Sequence, residues 1–447
     1  MWDTNGGVYF GYGTDRTEGL PPTSAPVIQY VGDRHLLSLG PGGSGINRRL
    51  FESNVLGLRG WSLVIVDPNG ELAALCARRR DPELQQTIFL NPFEVNGIPS
   101  HGFNPVAALD PASPEFPDDA QDIAAALIRD EDGRPGGLAP ARDLLTALIM
   151  YSRLTRADGG SLGHIRDCLG QSPFHTLADA LVAAGEQHGW PELSVKAAPF
   201  SRSAGGGVDR ILLSALAQTS WIDSRPIRAD LSVPTPIGFG MLKEVPAAVF
   251  LVLPARRLGS HTSWLRVMLA SIVQALIRDG QAAKVPVMLM LDGYPAIARG
   301  GFPIVENNMA MLRTCGVKLW TVWEDLAQLR SLYGDGFESF VASCGVVQSF
   351  APQDLVTAEY LSQRTGLTAL ELEARGRSAA GAPITQFQGG NVSYQPVPRM
   401  LPQDLRNMEE GFSVIFSHKV RNTIRAYMPI PSAPVRRRSL LGVRTGR

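Results

Sequence analysis

Residues 40–47 read Gly40-Pro41-Gly42-Gly43-Ser44-Gly45-Ile46-Asn47. A phosphate-binding loop is a Gly, four spacers, a second Gly, then Lys and a Ser or Thr. Gly40, the spacing and Gly45 keep that frame, with Gly42, Gly43 and Ser44 as spacers. Ile46 stands where the Lys should reach the phosphates, and Asn47 where a hydroxyl should hold Mg²⁺. The stretch predicts the contour of a nucleotide site with two of its chemical groups replaced. Backbone N–H groups of such a loop, and the start of the helix expected from Asn47, still attract an anion. The same residues also read as a tight turn between strand and helix, so the loop by itself does not decide the function.

Outward from the loop, short apolar runs alternate with helical patterns. His35 to Leu39, Trp61 to Asp67, Thr87 to Asn91, Ala247 to Leu253, Val285 to Asp292, Val317 to Trp323 and Gly345 to Phe350 read as strands. Such continuous apolar runs are typical of strands buried on both faces of a parallel sheet. Glu71 to Arg80, Thr262 to Asp279, Glu306 to Cys315, Phe337 to Ser343 and Asp354 to Gly366 read as helices between them. Phe412 to Phe416 and Thr423 to Tyr427 read as a closing strand pair. The expected class is α/β, a parallel sheet flanked by helices.

From residue 118 to 232 the strand-like runs vanish. Ala and Leu recur at helical spacing over Asp119 to Ile128, Pro140 to Leu154, Pro173 to His188 and Asp209 to Trp221. An all-helical inserted domain is expected there, flanked by sheet segments 30–117 and 233–430. Residues 1–29 read as an arm, 376–398 as a loop, and 431–447 as a basic flexible tail carrying Arg436, Arg437, Arg438, Arg444 and Arg447.

The 447 residues carry 42 Lys+Arg and 42 Asp+Glu, so there is no global basic excess of the kind that grips duplex DNA. The four cysteines lie far apart and the seven histidines lack metal-ligand spacing, which points to reduced, buried thiols. No apolar run reaches the length of about 18 residues that spans a bilayer. A cytoplasmic chain is expected, reaching the inner membrane only through partners. Ser44 is preceded by a Gly and does not form a nucleophile elbow. Trp320 and Trp323 sit three apart on one strand and should face opposite sides.

Three strand ends are expected to meet. The first is the loop after Leu39. The second is Asp292, where an NTPase places the acid that orients Mg²⁺; the neighbouring catalytic Glu position holds Gly293. The third is Glu324, a charge where an uncharged amide would sense the terminal phosphate.

Several ordered motifs accompany these. His35-Leu-Leu-Ser-Leu-Gly-Pro-Gly-Gly-Ser-Gly45, Val64-Ile-Val-Asp-Pro-Asn-Gly-Glu71, Phe103-Asn-Pro105, Val252-Leu-Pro254 with Trp264-Leu-Arg266, Leu289-Met-Leu-Asp292, Glu324-Asp-Leu-Ala-Gln-Leu329 and Thr357-Ala-Glu-Tyr-Leu361 follow in that order. From about Tyr30 to Tyr427 the chain resembles the motor domain of the type IV secretion coupling proteins, the TraG/TraD-like conjugation ATPases. The resemblance implies a RecA-like P-loop NTPase sheet with an inserted all-α domain. It also implies a ring assembly, work beside other type IV secretion components, and recruitment of relaxase–DNA or effector cargo.

Against the family pattern, the Walker A Lys and Ser/Thr align with Ile46 and Asn47, the Walker B Asp-Glu with Asp292-Gly293, the Gln of the third motif with Glu324, and a Lys with Asn69. Asp292 alone survives as a Mg²⁺ or catalytic candidate. The expectation is a pseudo-ATPase with a vestigial site and no cofactor, partnered in a homo- or hetero-oligomeric ring by an active homologue. Two alternatives remain. One is an active translocation motor using ATP and Mg²⁺, with Arg266 or Arg256 supplied in trans. The other is a regulator that binds nucleotide without hydrolysis.

Overall fold

The computed structural model describes residues 7–15, 19, 25–79, 86–129, 138–171, 173–202, 206–234, 237–374 and 391–431. The basic-tail arginines lie outside these. Strands β1 (Val8–Gly13), β2 (Val27–Tyr30), β3 (His35–Leu39), β4 (Ser62–Val66), β5 (Gln86–Leu90), β6 (Ala247–Leu251), β7 (Val287–Leu291), β8 (Val317–Trp323) and β9 (Cys344–Phe350) belong to one sheet. The pair β10 (Leu367–Ala374) and β11 (Asn391–Pro398) forms a separate hairpin, and β12 (Phe412–Ser417) and β13 (Ile424–Tyr427) rejoin the main sheet. That sheet has 11 strands in the order β2-β1-β13-β12-β9-β3-β8-β7-β4-β6-β5. From β9 to β5 the neighbours run parallel, and from β12 to β2 they run antiparallel.

Alternation along each central strand divides the core in two. Leu37, Val64, Val66, Leu289, Leu291 and Trp323 belong to one apolar cluster, and Leu36, Leu63, Ile65, Met288, Met290 and Trp320 to the other. Period-two side chains produce this split, and both faces must be covered. The second face is covered by the helix after the loop, α1 (Glu52–Gly57), by α2 (Glu71–Arg79) and by β1, through Val55, Leu72 and Phe10.

Between β5 and β6 the described chain is helical: α3 (Phe116–Leu127), α4 (Ala139–Thr155), α5 (Leu162–Leu169), α6 (Phe174–His188), α7 (Pro191–Arg202), α8 (Gly206–Gln218) and α9 (Arg225–Asp230). Phe116, Ile123, Leu144 and Leu148 share the first cluster with Val64 and Leu289, so these helices and that face of the sheet have one continuous core. After β6 come α10 (Leu258–Ile277), then α11 (Tyr294–Ala298), α12 (Pro303–Glu306), α13 (Met309–Thr314) and α14 (Leu326–Tyr333).

Three sequence readings need correction. Within the arm 1–29, β1 pairs with β13 and β2 and extends the sheet; Val8, Tyr9 and Phe10 are all buried, so no alternation betrays a strand. Within 376–398, residues 391–398 form β11, held by pairing with β10. The helix expected over Glu306 to Cys315 is the shorter α13, and α12 ends where that span begins, at Glu306. No helix among the described residues is long and apolar enough to cross a membrane.

Trp320 is fully buried, with its ring 5.3 Å from Phe10 and 5.2 Å from Phe51, and its Nε1–H donates to Ser38 Oγ at 3.0 Å. Trp320→Ala is expected to destabilise the chain by about 3–5 kcal/mol in denaturant unfolding. A loss below roughly 1 kcal/mol would mean that β1 and α1 collapse onto the gap.

At the end of β4, Asp67 is fully buried; Oδ2 accepts the Ala73 N–H at 2.8 Å, and Oδ1 has no partner among the described residues. Burial pushes its carboxyl up to about 6, against the lowering by the Ala73 and Leu72 N–H groups, and the Asp292 and Glu71 charges add to the rise. The folded state therefore holds a proton that the unfolded chain releases near pH 4. Stability from this group is full below that pH and is lost as pH rises through about 6. Between pH 4 and 7, wild type should lose on the order of 2–3 kcal/mol relative to Asp67→Asn. Parallel pH profiles of the two would contradict it.

Candidate functional site

The register of β3 between β8 and β9 sets the site. Leu39 lies opposite Trp323 on β8, Leu291 on β7 lies opposite Thr321, and the Gly40 N–H donates to Trp323 O at 2.9 Å. The carboxyl ends of β3, β8 and β7 therefore deliver Gly40, Glu324 and Asp292 to one edge, where open α/β sheets bind ligands. A cavity of about 870 Å³ opens there, lined by Gly40 to Asn47, by Asp292 and Gly293, by Arg299, and by Glu324, Asp325 and Gln328 among others. The three strand ends expected from sequence meet in this one cavity.

Within the loop, Gly43 has φ +86° and Gly45 φ +74°. A Cβ on Gly42 or Gly43 would meet nothing within 4 Å, so the backbone there is open to the cavity. The Ser44 N–H is turned inward to Pro41 O at 3.0 Å, whereas the N–H groups of Gly42, Gly43 and Gly45 have no partner among the described residues. A π-helical turn, Asn47–Phe51, follows the loop before α1. Such turns are rare and recur at functional sites.

Ile46 is only 7 % exposed and belongs to the apolar cluster with Leu50, Phe51 and Phe350. Its Cδ1 lies 2.8 Å from where a Gly40 Cβ would sit, so Gly40 is needed to admit it. An apolar side chain thus fills the inside of the loop. Asn47 Oδ1 is buried and has no partner among the described residues. Arg49 passes beneath Gly45, but it is spent on Met428 O at 2.6 Å and on Glu410 at 2.5 Å, and it does not line the cavity.

Burial raises the Asp292 carboxyl above the usual carboxylate range, opposed by the Gly293 N–H. Gly293 has φ +71° and no side chain to activate water. Glu324 is exposed on the cavity wall, its N–H donating to Gln328 Oε1 at 3.1 Å. Asp325 caps α14, accepting the Gln328 N–H at 2.9 Å. Asn69 is exposed and does not line the cavity.

Arg266 does not fit a role in trans. It is fully buried on α10; Nε donates to Ala126 O at 3.1 Å, one terminal N–H group to Ile297 O at 2.8 Å, and the guanidinium lies 4.8 Å from the Phe302 ring centre. Burial, with Arg129 adding to it, pulls its pKa down to about 10. Arg256 is exposed after β6 and outside the cavity. The sequence reading missed Arg299, the one cation among the described residues that line the cavity.

Residues 7–426 match the family described as type IV secretory system conjugative DNA transfer. Among similar proteins, the conjugal transfer protein TraG of Rhizobium radiobacter is 26 % identical over 377 residues, 80 % of this chain and 56 % of that one. The type IV secretion system-coupling protein VirD4 of Bartonella henselae is 25 % identical over 355 residues, 77 % of this chain and 54 % of its own. The chain thus spans about half the length of the curated relatives it matches. The plasmid coupling protein TrwB in complex with ADP and Mg²⁺ superposes with a TM-score of 0.67 at 15 % identity, over 91 % of this chain and 87 % of that one. TrwB with the ATP analogue ADPNP gives 0.65 at 15 %, over 89 % and 86 %.

These complexes correct the expectation that no cofactor is used, since a protein of the same fold holds ADP and Mg²⁺. The residues here fit such a group. The loop backbone is open at Gly42 and Gly43, Asn47 Oδ1 is a buried acceptor without a partner among the described residues, and Asp292 lines the same cavity. Neutral and anionic oxygens of this kind are what Mg²⁺ takes. The misfits are Ile46 and the Glu324 carboxylate on the cavity wall. With its RecA-like P-loop sheet and a match running almost from end to end, the chain belongs to the type IV secretory conjugative DNA transfer family, the TraG/VirD4 coupling proteins.

Proposed function

We propose that the chain acts in type IV conjugative transfer as a coupling-protein-like component that takes a Mg-nucleotide in the loop cavity and does not hydrolyse it. In this reading it serves substrate recruitment, of relaxase–DNA or effector cargo, beside an active homologue in a ring. The observation that carries the reading is the split within one cavity. The loop backbone, Asn47 and Asp292 that shape the site and would hold metal are present, whereas Ile46 replaces the phosphate-reaching Lys and Gly293 the water-activating Glu.

The loop N–H groups of Gly42, Gly43 and Gly45 would hold phosphate oxygens, and Asn47 Oδ1 and Asp292 would hold the metal. When bound, Mg²⁺ supplies charge neutralisation at the phosphates. Phosphoryl transfer is mostly positioning and electrostatics, so the missing Lys costs directly. A positioned acid–base group contributes roughly 10²- to 10⁴-fold, and position 293 offers none. The active-motor reading is favoured by one feature, the exposed Glu324 carboxylate on the cavity wall, a group that could orient water.

Equilibrium binding of Mg-ADP together with phosphate release from Mg-ATP, with and without DNA, tests this. Saturable Mg-ADP binding with no release above buffer is expected. DNA-stimulated release that Glu324→Gln abolishes would establish the motor instead. Asn47→Ala should weaken the Mg²⁺-dependent part of ADP binding about 10- to 100-fold while leaving Mg²⁺-free binding unchanged.

A further inference from the structure

We infer that Arg299 supplies, within the same cavity, the phosphate-binding charge that Ile46 has removed from the loop. This rests on the nucleotide reading above and names the residue that makes it electrostatically workable. The ligand class is a Mg-bound diphosphate or triphosphate group.

Four observations carry it. Among the described lining residues Arg299 is the single cation, facing a cavity that also bears Asp292, Glu324 and Asp325. It is exposed, and its guanidinium has no hydrogen-bond or ion-pair partner among the described residues; it is not neutralised by those neighbouring acids. Of the two arginines that follow the loop, Arg49 lies beneath it and is held by Met428 O and Glu410, and Arg48 is exposed and does not line the cavity.

The backbone that carries Arg299 is fixed from below. Buried Arg266 donates one terminal nitrogen both to Ile297 O at 2.8 Å and to Arg299 O at 3.4 Å. Arg299 follows directly on α11, the short helix that begins two residues after Asp292. Arg266 is thus a positioning residue: it spends its own buried charge holding the segment that presents Arg299 to the cavity. A phosphate without a cation beside it would be desolvated at large cost. Arg suits this role because its planar fork meets phosphate oxygens in pairs.

The test compares wild type, Arg299→Gln and Arg299→Lys, titrated with Mg-ADP and with Mg-pyrophosphate. Pyrophosphate removes the base and sugar, so it reads the phosphate contact alone. Arg299→Gln is expected to weaken both ligands about 10- to 100-fold, the loss of one charge-assisted contact. Arg299→Lys should recover most of that affinity, and the salt dependence of binding should flatten in Arg299→Gln. Because the side chain is exposed, the unliganded unfolding midpoints of the three should coincide. Equal affinities for wild type and Arg299→Gln would overturn the role of Arg299 and leave the nucleotide reading standing. Failure of wild type to bind either ligand would overturn both.

Discussion

The site depends on one backbone relation, the insertion of β3 between β8 and β9 in parallel register. Leu39 opposite Trp323 and the Gly40 N–H on Trp323 O fix where the loop leaves the sheet. The next pairing, β8 with β7, brings Asp292 to the same edge. Both faces of these strands are apolar, so a slip by one residue would turn Trp320 and Trp323 into the wrong cores. The register, and with it the cavity, is held by packing on two sides.

On that rigid edge the electrostatics have been redistributed. The loop carries an apolar side chain where family members of this pattern carry a cation, and Ile46 is anchored in the core beneath. Asn47 keeps an oxygen where a hydroxyl would stand. Asp292 remains, partly desolvated. Among the described lining residues the positive charge is that of Arg299. Holding a Mg-nucleotide needs a nest, an oxygen set and one cation. Cleaving it needs, in addition, a placed base. The first set is present, dispersed over three strand ends. For the second, the described lining offers the carboxylates of Glu324 and Asp325, and Gly293 at the position beside Asp292.

Much of this was legible in the residues. The central strands are buried on both faces, so they appear as uninterrupted apolar runs, and their ends could be matched to the loop, Asp292 and Glu324. The flanks were harder. In β1 the consecutive burial of Val8, Tyr9 and Phe10 removes the alternation that marks a half-exposed strand, and its partner β13 lies more than 400 residues away in sequence. Arg266 stands among the candidates for a cation supplied in trans, yet its sequence neighbours Trp264, Leu265, Val267 and Met268 are all buried. A helix that is apolar all round is buried, and that signal was present. Arg299 sits in a Gly-rich segment after a short helix, with no periodicity to orient it. Only the three-dimensional placement of α11, packed on α10, α14 and β8, brings it to the cavity that the loop lines.

The most direct measurement is amide hydrogen exchange of the full chain with and without Mg-ADP. Segments 40–47 and 292–299 should gain protection together, at the same ligand concentration, because one ligand bridges the two segments. Protection confined to other parts of the chain, or of the loop without 292–299, would contradict a single cavity whose shape comes from the loop and whose charge comes from Arg299.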